Sequence, residues 1–256
     1  MRVTYVLTYA AILAAMCFPL DAYAADQERF IPDCAGGVKI AHARVQRVER
    51  GGALILPDGR RLVLEAVRLP LEDDLAARAQ AALSDLVLSG TVSFTAAGQD
   101  RYGRLGVQGF GGQWLQAALL EQGLARVAIS PDRTECAPDL YEAEARGRAK
   151  RAGLWALAAY RIRTPQDLKG ATGSFQLVEG LVSHIGHADG RTFLDFGGAG
   201  RWSFSALIAP QDRRAFRDFD LDELVGRKVR VRGIVQDYRG RPEIALANPS
   251  QIEVLD

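Results

Sequence analysis

Short runs of alternating apolar and polar residues, broken by three stretches of helical period, organise the first part of the chain. Val38–Val48 predicts a first strand, Gly51-Gly52 a turn, Leu54–Leu56 a second strand and Pro57-Asp58-Gly59 another turn. Arg61–Val67 predicts a third strand, with Leu62 and Leu64 on one face and Val63 and Val67 on the other; Pro70 ends it. Asp73–Leu88 has a helical stripe of Leu75, Ala79, Ala82, Leu83 and Leu86. Asp73 and Asp74 suit the positive end of its dipole, and Gly90 stops it. Thr91–Ala96 and Leu105–Phe110 predict a fourth and a fifth strand around a turn at Asp100–Gly103. Trp114, Leu115, Ala118 and Leu119 then recur at helical spacing as far as Gly123. Asp139–Ala152 predicts a longer helix ended by Gly153, with Glu142 and Glu144 early and Arg146, Arg148, Lys150 and Arg151 late, as the helix dipole favours. Trp114 and Trp155 read as core anchors.

The pattern then starts again. After a connector at Ala158–Gly173 come runs at Phe175–Ile185, Arg191–Phe196 and Trp202–Ile208, the last two joined by Gly197-Gly198-Ala199-Gly200. Pro210–Phe219 predicts a short helix, and Lys228–Gln236, Pro242–Leu246 and Gln251–Leu255 predict closing strands. Three strands, a helix and two strands is the order of an OB-type barrel. The predicted class is mainly β with α: an OB-type barrel over residues 38–157 and a second OB-like barrel over residues 173–256. The Arg227, Lys228, Arg230 and Arg232 cations alternate with apolar positions, so a strand presents them on its outer face, as a nucleic-acid groove or as protection of a sheet edge.

Three stretches, taken in order, resemble the staphylococcal nuclease (thermonuclease) family: Asp100-Arg101-Tyr102-Gly103-Arg104, Gly123-Leu124-Ala125-Arg126-Val127, and Glu142-Ala143-Glu144-Ala145 through Gly153-Leu154-Trp155. The resemblance covers about Ala43–Ala156. It implies a barrel with two appended helices, and hydrolysis of DNA or RNA with calcium as cofactor. It makes Arg101, Tyr102 and Arg104 the nucleotide- and phosphate-binding residues, and Arg104 catalytic as well. Phosphodiester hydrolysis needs carboxylates to hold a metal, a base to position water, and cations for the developing charge.

In the family the acids come from a D-G-D-T turn and an R-x-x-x-x-D-T-P-E run. Here the first reads Arg50-Gly51-Gly52-Ala53. Aligned on Pro70, the second puts Val63 at the arginine, Arg68 at the metal carboxylate and Leu71 at the general base. Glu72, one residue later, is the remaining candidate catalytic carboxylate, and Arg61 lies on the strand face of the missing arginine. The family's further aromatics fall on Ile129 and Pro131. The expectation is therefore no metal site and a nucleic-acid or partner-binding protein. The alternative is an active phosphodiesterase working through Arg61, Glu72 and Arg104 with calcium. The C-terminal run looks like a module that follows thermonuclease-like domains in some bacterial proteins, and it carries no enzyme motif.

Composition and charge add two points. The chain has 256 residues with 32 Lys and Arg against 31 Asp and Glu, so no overall basic field draws in nucleic acid and any phosphate site must be local. Residues 1–24 read as a signal peptide: Arg2, a mostly apolar Val3–Leu20, and the cleavage site Ala22-Tyr23-Ala24. Export to the periplasm or medium follows, and no further membrane-spanning stretch occurs. Cleavage leaves Cys34 and Cys136, which an oxidising compartment would join as a disulfide closing a loop of about 100 residues, worth ~4–5 kcal/mol on chain entropy. His184 and His187, three apart near a strand end, would need a third ligand such as Asp189 or Asp195 to hold a metal, and exposed turn histidines are the plainer reading.

Overall fold

The computed structural model describes residues 36–131, 133–197 and 204–255. The expected signal peptide and Cys34 lie outside the described residues, as do the Gly198-Ala199-Gly200 part of the expected glycine turn and Trp202. The fold is mixed α/β: a curled sheet with three helices, then a second mixed sheet.

The first sheet contains β1 (Val38–Ala43), β2 (Arg47–Val48), β3 (Leu54–Ile55), β4 (Arg61–Leu64), β6 (Val92–Gln99) and β7 (Leu105–Phe110), in the order β1-β6-β7-β4-β3-β2. The two ends of that path belong to one stretch of chain, Val38–Val48, which was expected as a single strand. It breaks at residues 44–46, just after a register shift within β1 where His42 takes a left-handed φ of 48°. One half pairs with β6 and the other with β3, so the sheet curls back on itself. The expected third strand also breaks, at Ala66 with φ 61°. Its tail becomes β5 (Val67–Arg68), which leaves the sheet to pair with β8 (Arg126–Val127).

Helix α1 (Asp73–Leu88) matches its apolar stripe and buries Leu75, Ala79, Leu83 and Val87. Helix α2 (Leu115–Glu121) buries Leu115, Leu119 and Leu120 with Trp114 at its N-cap. Helix α3 (Ala137–Ala149) starts two residues earlier than expected, because Pro138 serves in its first turn, and stops before Arg151, whose φ is 50°. These helices close over Phe94, Leu54, Leu62 and Val107 in one core. Each fully buried leucine there contributes roughly 1.5–3 kcal/mol.

The second sheet contains β9 (Phe175–Leu181), β10 (His184–Ala188), β11 (Arg191–Asp195), β12 (Ser205–Ile208), β13 (Lys228–Tyr238), β14 (Arg241–Ala245) and β15 (Ile252–Leu255). Phe175–Ile185 again splits in two. β9 pairs with β13, and β10 with β11 at the other end of the order β10-β11-β12-β14-β13-β15. β12 and β14 run parallel, as β4 and β7 do in the first sheet. The expected helix at Pro210–Phe219 is only a 3-10 turn, Arg213–Phe216, anchored by buried Phe216.

One expectation is corrected here. β13 is not an edge, since β9 and β15 flank its first half, and Arg230 and Arg232 are buried on it. Arg230 binds Glu179 at 2.6 Å and Glu253 at 2.9 Å. Arg232, 1 % exposed, reaches into the first half of the chain. It donates to Glu144 Oε2 at 3.0 Å and to the Val127 carbonyl at 3.1 Å, pairs with Glu253, and lies 4.2 Å from the Tyr141 ring centroid. The tyrosine hydroxyl donates to the Ser250 carbonyl. Arg232 is covered by Tyr141 and Glu144 of α3, and Arg230 by Glu179 and Glu253 of the flanking strands, neither of which local sequence encodes.

Candidate functional site

The turn between β6 and β7 is built by Asp100. Its backbone N–H donates to the Arg104 carbonyl at 2.8 Å, and Gly103, with φ 72°, donates back to the Asp100 carbonyl at 2.9 Å. The Asp100 side chain also accepts from the Tyr102 and Arg104 backbone N–H groups at 2.8 and 3.0 Å. Its second oxygen accepts from Arg104 Nε at 2.8 Å. These donors hold the Asp100 carboxyl below its ordinary range, the Arg104 backbone N–H first among them. The result is a stiff hairpin tip whose aromatic ring, Tyr102, is 66 % exposed. Arg101 and Arg104 place their guanidinium carbons 4.9 and 5.4 Å from its centroid. Two cations against one exposed ring offer phosphate pairing beside a stacking surface.

The parallel pairing of Leu62 with Leu105 sets Arg61 beside Arg104 on neighbouring strands. Each cation has its own acid: Arg61 donates to Glu49 at 2.6 Å, and Arg104 pairs with Asp100 at 2.7 Å. An incoming phosphate therefore shares these guanidiniums with carboxylates already present.

Two residues beyond Val63, Glu65 continues the same face. It lies over Gly106, where any Cβ would collide with its carboxylate. Burial pushes the Glu65 carboxyl up, against the pull of Arg133, whose Nη1 is 4.0 Å away. Its Oε2 is buried with no hydrogen-bond partner among the described residues. Motif matching passed over Glu65; the alternation from Arg61 through Val63 was the signal that could have found it.

The other family positions lie elsewhere. Gly52 has φ 84°, and a Cβ there would meet the tip of the Leu69 side chain, so an aspartate would be strained and would have to push Leu69 aside. Leu71 is 77 % exposed. Arg68 lies 5.8 Å from the Phe175 centroid and is paired across β5 and β8 with Arg126. Arg126 sits near the Tyr160 and Phe175 rings, at 4.7 and 4.9 Å, and donates to the Phe175 carbonyl at 2.7 Å. Burial lowers its pKa to about 10, despite the nearby Tyr160 and Glu144.

Glu72 stands at the N-cap of α1 and accepts from the Tyr160 hydroxyl. Burial would raise its carboxyl, but Tyr160, the Glu72 and Leu71 N–H groups and Arg126 together hold it below the ordinary range. No hydrogen bond or ion pair among the described residues joins Glu72 to Arg104. Arg101, Tyr102 and Arg104 thus form one cluster with Arg61 alongside, and Glu72 belongs to another with Arg126 and Tyr160. Gly52, Arg68 and Leu71 supply no carboxylate, a donor set unsuited to calcium, which takes six or more oxygens. Among the described residues no group of three His, Cys, Asp or Glu side chains could hold a metal ion. His187 Nδ1 meets Thr192 Oγ1 at 3.1 Å. Cys136 is buried at the N-cap of α3, and Cys34 lies outside the described residues.

The curled sheet, its DRYGR hairpin tip and the three helices packed on it form one α/β domain. Residues 64–157 match the family described as SNase, staphylococcal nuclease homologue, and the chain carries that domain there. The match begins inside β4, so β1 to β3 and Gly52 precede it, while Arg68, Glu72 and the Asp100–Arg104 turn fall within it. The second sheet lies outside the match. No curated protein matches the chain.

Proposed function

We propose that this protein uses a nuclease-family domain to bind single-stranded nucleic acid at the Tyr102 turn without cleaving it. One observation carries the reading: Tyr102 is exposed between Arg101 and Arg104, while the family's acid positions are Gly52, Arg68 and Leu71, with Leu69 filling the space beside Gly52. Loss of one electrostatic group commonly costs two or more orders of magnitude in rate, and here a metal set, a base and an arginine are replaced together. Both sheets are read as OB-type barrels. In each, a split first strand pairs at both ends, and the third and fifth strands run parallel. Export by the leader and a Cys34–Cys136 disulfide complete the proposal.

A second reading, a phosphodiesterase with a rearranged site, draws on Glu65, Glu49 and Asp100, which set carboxylates near Arg61 and Arg104.

Incubation of the purified chain with denatured DNA and with RNA, in calcium and in chelator, separates the two. No calcium-dependent cleavage is expected. Calcium-dependent cleavage that disappears in Arg104→Ala would establish the second reading instead. In a fluorescence-anisotropy titration, Tyr102→Ala is expected to weaken binding of a labelled single strand about tenfold, since stacking on one base is worth ~1–3 kcal/mol. Equal affinity for the variant and the unaltered chain would remove the Tyr102 turn from the proposal.

A further inference from the structure

The second sheet carries a cleft of about 330 Å³ between β11, β12 and β14 and the two hairpin tips beside them. Its floor crosses three adjacent strands: Asp195 is paired with Ser205, and Ser205 with Glu243. Ser205 Oγ donates to Asp195 Oδ1 at 2.6 Å, so that acid is partly engaged. Glu243 is different. The residue is only 7 % exposed and lines the cleft, yet among the described residues no hydrogen bond or ion pair engages its carboxylate. Burial pushes that carboxyl up, while Arg191 and Arg241 pull it down from a distance. Its oxygens open into the cleft, where the donors of a ligand can reach them.

The rim carries three arginines and one exposed acid, Asp189. The tight turn at Arg239 and Gly240, with φ 53° and 80°, brings Arg239 and Arg241 to the mouth, and Arg191 starts the facing strand. Arg191 and Arg239 both lie near the Tyr238 ring, at 5.8 and 5.3 Å, which spaces their guanidiniums. Half-buried Phe193 gives the wall a flat apolar surface.

Acceptors at the floor and cations at the rim demand a ligand with donors at its inner end, a flat middle and an anion at its outer end. A guanine nucleotide has that polarity. Its ring N–H and exocyclic amine donate side by side to one carboxylate, and its phosphate pairs with guanidinium forks. Thymine offers one ring N–H flanked by two carbonyl oxygens, which the same acid repels, so it pairs less well. A neutral sugar has no group for three arginines. The volume suits a mononucleotide or one residue of a strand. We propose that this cleft is a guanine-nucleotide subsite, with the base edge on Glu243 and the phosphate on Arg239 and Arg241. It stands apart from the Tyr102 turn and does not depend on it.

Titration calorimetry of the purified chain with 5′-GMP, 5′-TMP, guanosine and chitobiose tests the assignment. GMP is expected to bind about tenfold or more tightly than TMP, and Glu243→Gln to abolish that preference. Arg239→Ala, at an exposed turn, is expected to weaken GMP about tenfold and leave guanosine unchanged. Tyr102→Ala is expected to leave GMP binding here intact, which separates this site from the Tyr102 turn. Thermal melts of the variants confirm folding, and Arg239→Ala keeps the test open should Glu243→Gln not fold. Absence of GMP binding, equal affinity for GMP and TMP, a preference for chitobiose, or GMP affinity untouched by Arg239→Ala would each overturn the proposal.

Discussion

Arg232→Ala is expected to destabilise the protein by about 3–5 kcal/mol, measured as a lower urea midpoint. The guanidinium is 1 % exposed and is held between Glu144, itself fully buried, and Glu253, with the Val127 carbonyl and the Tyr141 ring completing its surroundings. Burial alone would disfavour its charge, but the two carboxylates outweigh it and raise its pKa. Removing the arginine takes the closest guanidinium from fully buried Glu144, which keeps the Val127 N–H at 2.7 Å and Arg148 at 3.6 Å, while Glu253 keeps Arg230 at 2.9 Å; the buried charge left on Glu144 outweighs the lost hydrogen bonds. A double-mutant cycle with Glu144→Gln locates the effect. Strong coupling between the two positions is expected, whereas additive losses would mean that the pair contributes no interaction of its own. Because Glu144 lies on α3 and Arg232 on β13, the same variant is expected to loosen the second sheet from the nuclease domain, read as faster hydrogen exchange along β13.

Gly147→Ala is expected to cost about 1–3 kcal/mol, although the change improves helix propensity by about 1 kcal/mol. Gly147 is a buried position of α3, and a Cβ there would strike the Leu120 carbonyl oxygen and crowd Glu121 on α2. A backbone atom cannot swing aside as a side-chain tip can, so α2 and α3 must separate and the Arg146–Glu121 pair at 2.9 Å must open. A melting temperature equal to or above that of the unaltered chain would show that the helices part without loss.

The elements that depend on nearby residues were legible before any coordinates. The stripe of Leu75, Ala79 and Leu83 defines α1, and the Asp100–Gly103 turn follows from an Asx residue and a glycine. The DRYGR wording located the Tyr102 cluster as well. The breaks were not legible. His42 and Ala66 take left-handed φ angles without being glycine, an arrangement the closing sheet imposes on them. Glu65 escaped notice because its significance comes from Gly106 on a strand forty residues away. Arg230 and Arg232 read as solvent-facing because alternation reports a side chain's face, not what covers that face.

Sequence alone determined the domain class and the tyrosine set between two arginines. These are properties of residue identity and short spacing. Only the tertiary structure decided that Glu72 accepts from Tyr160, that Arg232 is enclosed by acids from distant segments, and that Glu243 shares a cleft with Arg191, Arg239 and Arg241. Each of those depends on which strands become neighbours. That choice is made by burial summed over the whole core and cannot be reduced to any local pattern.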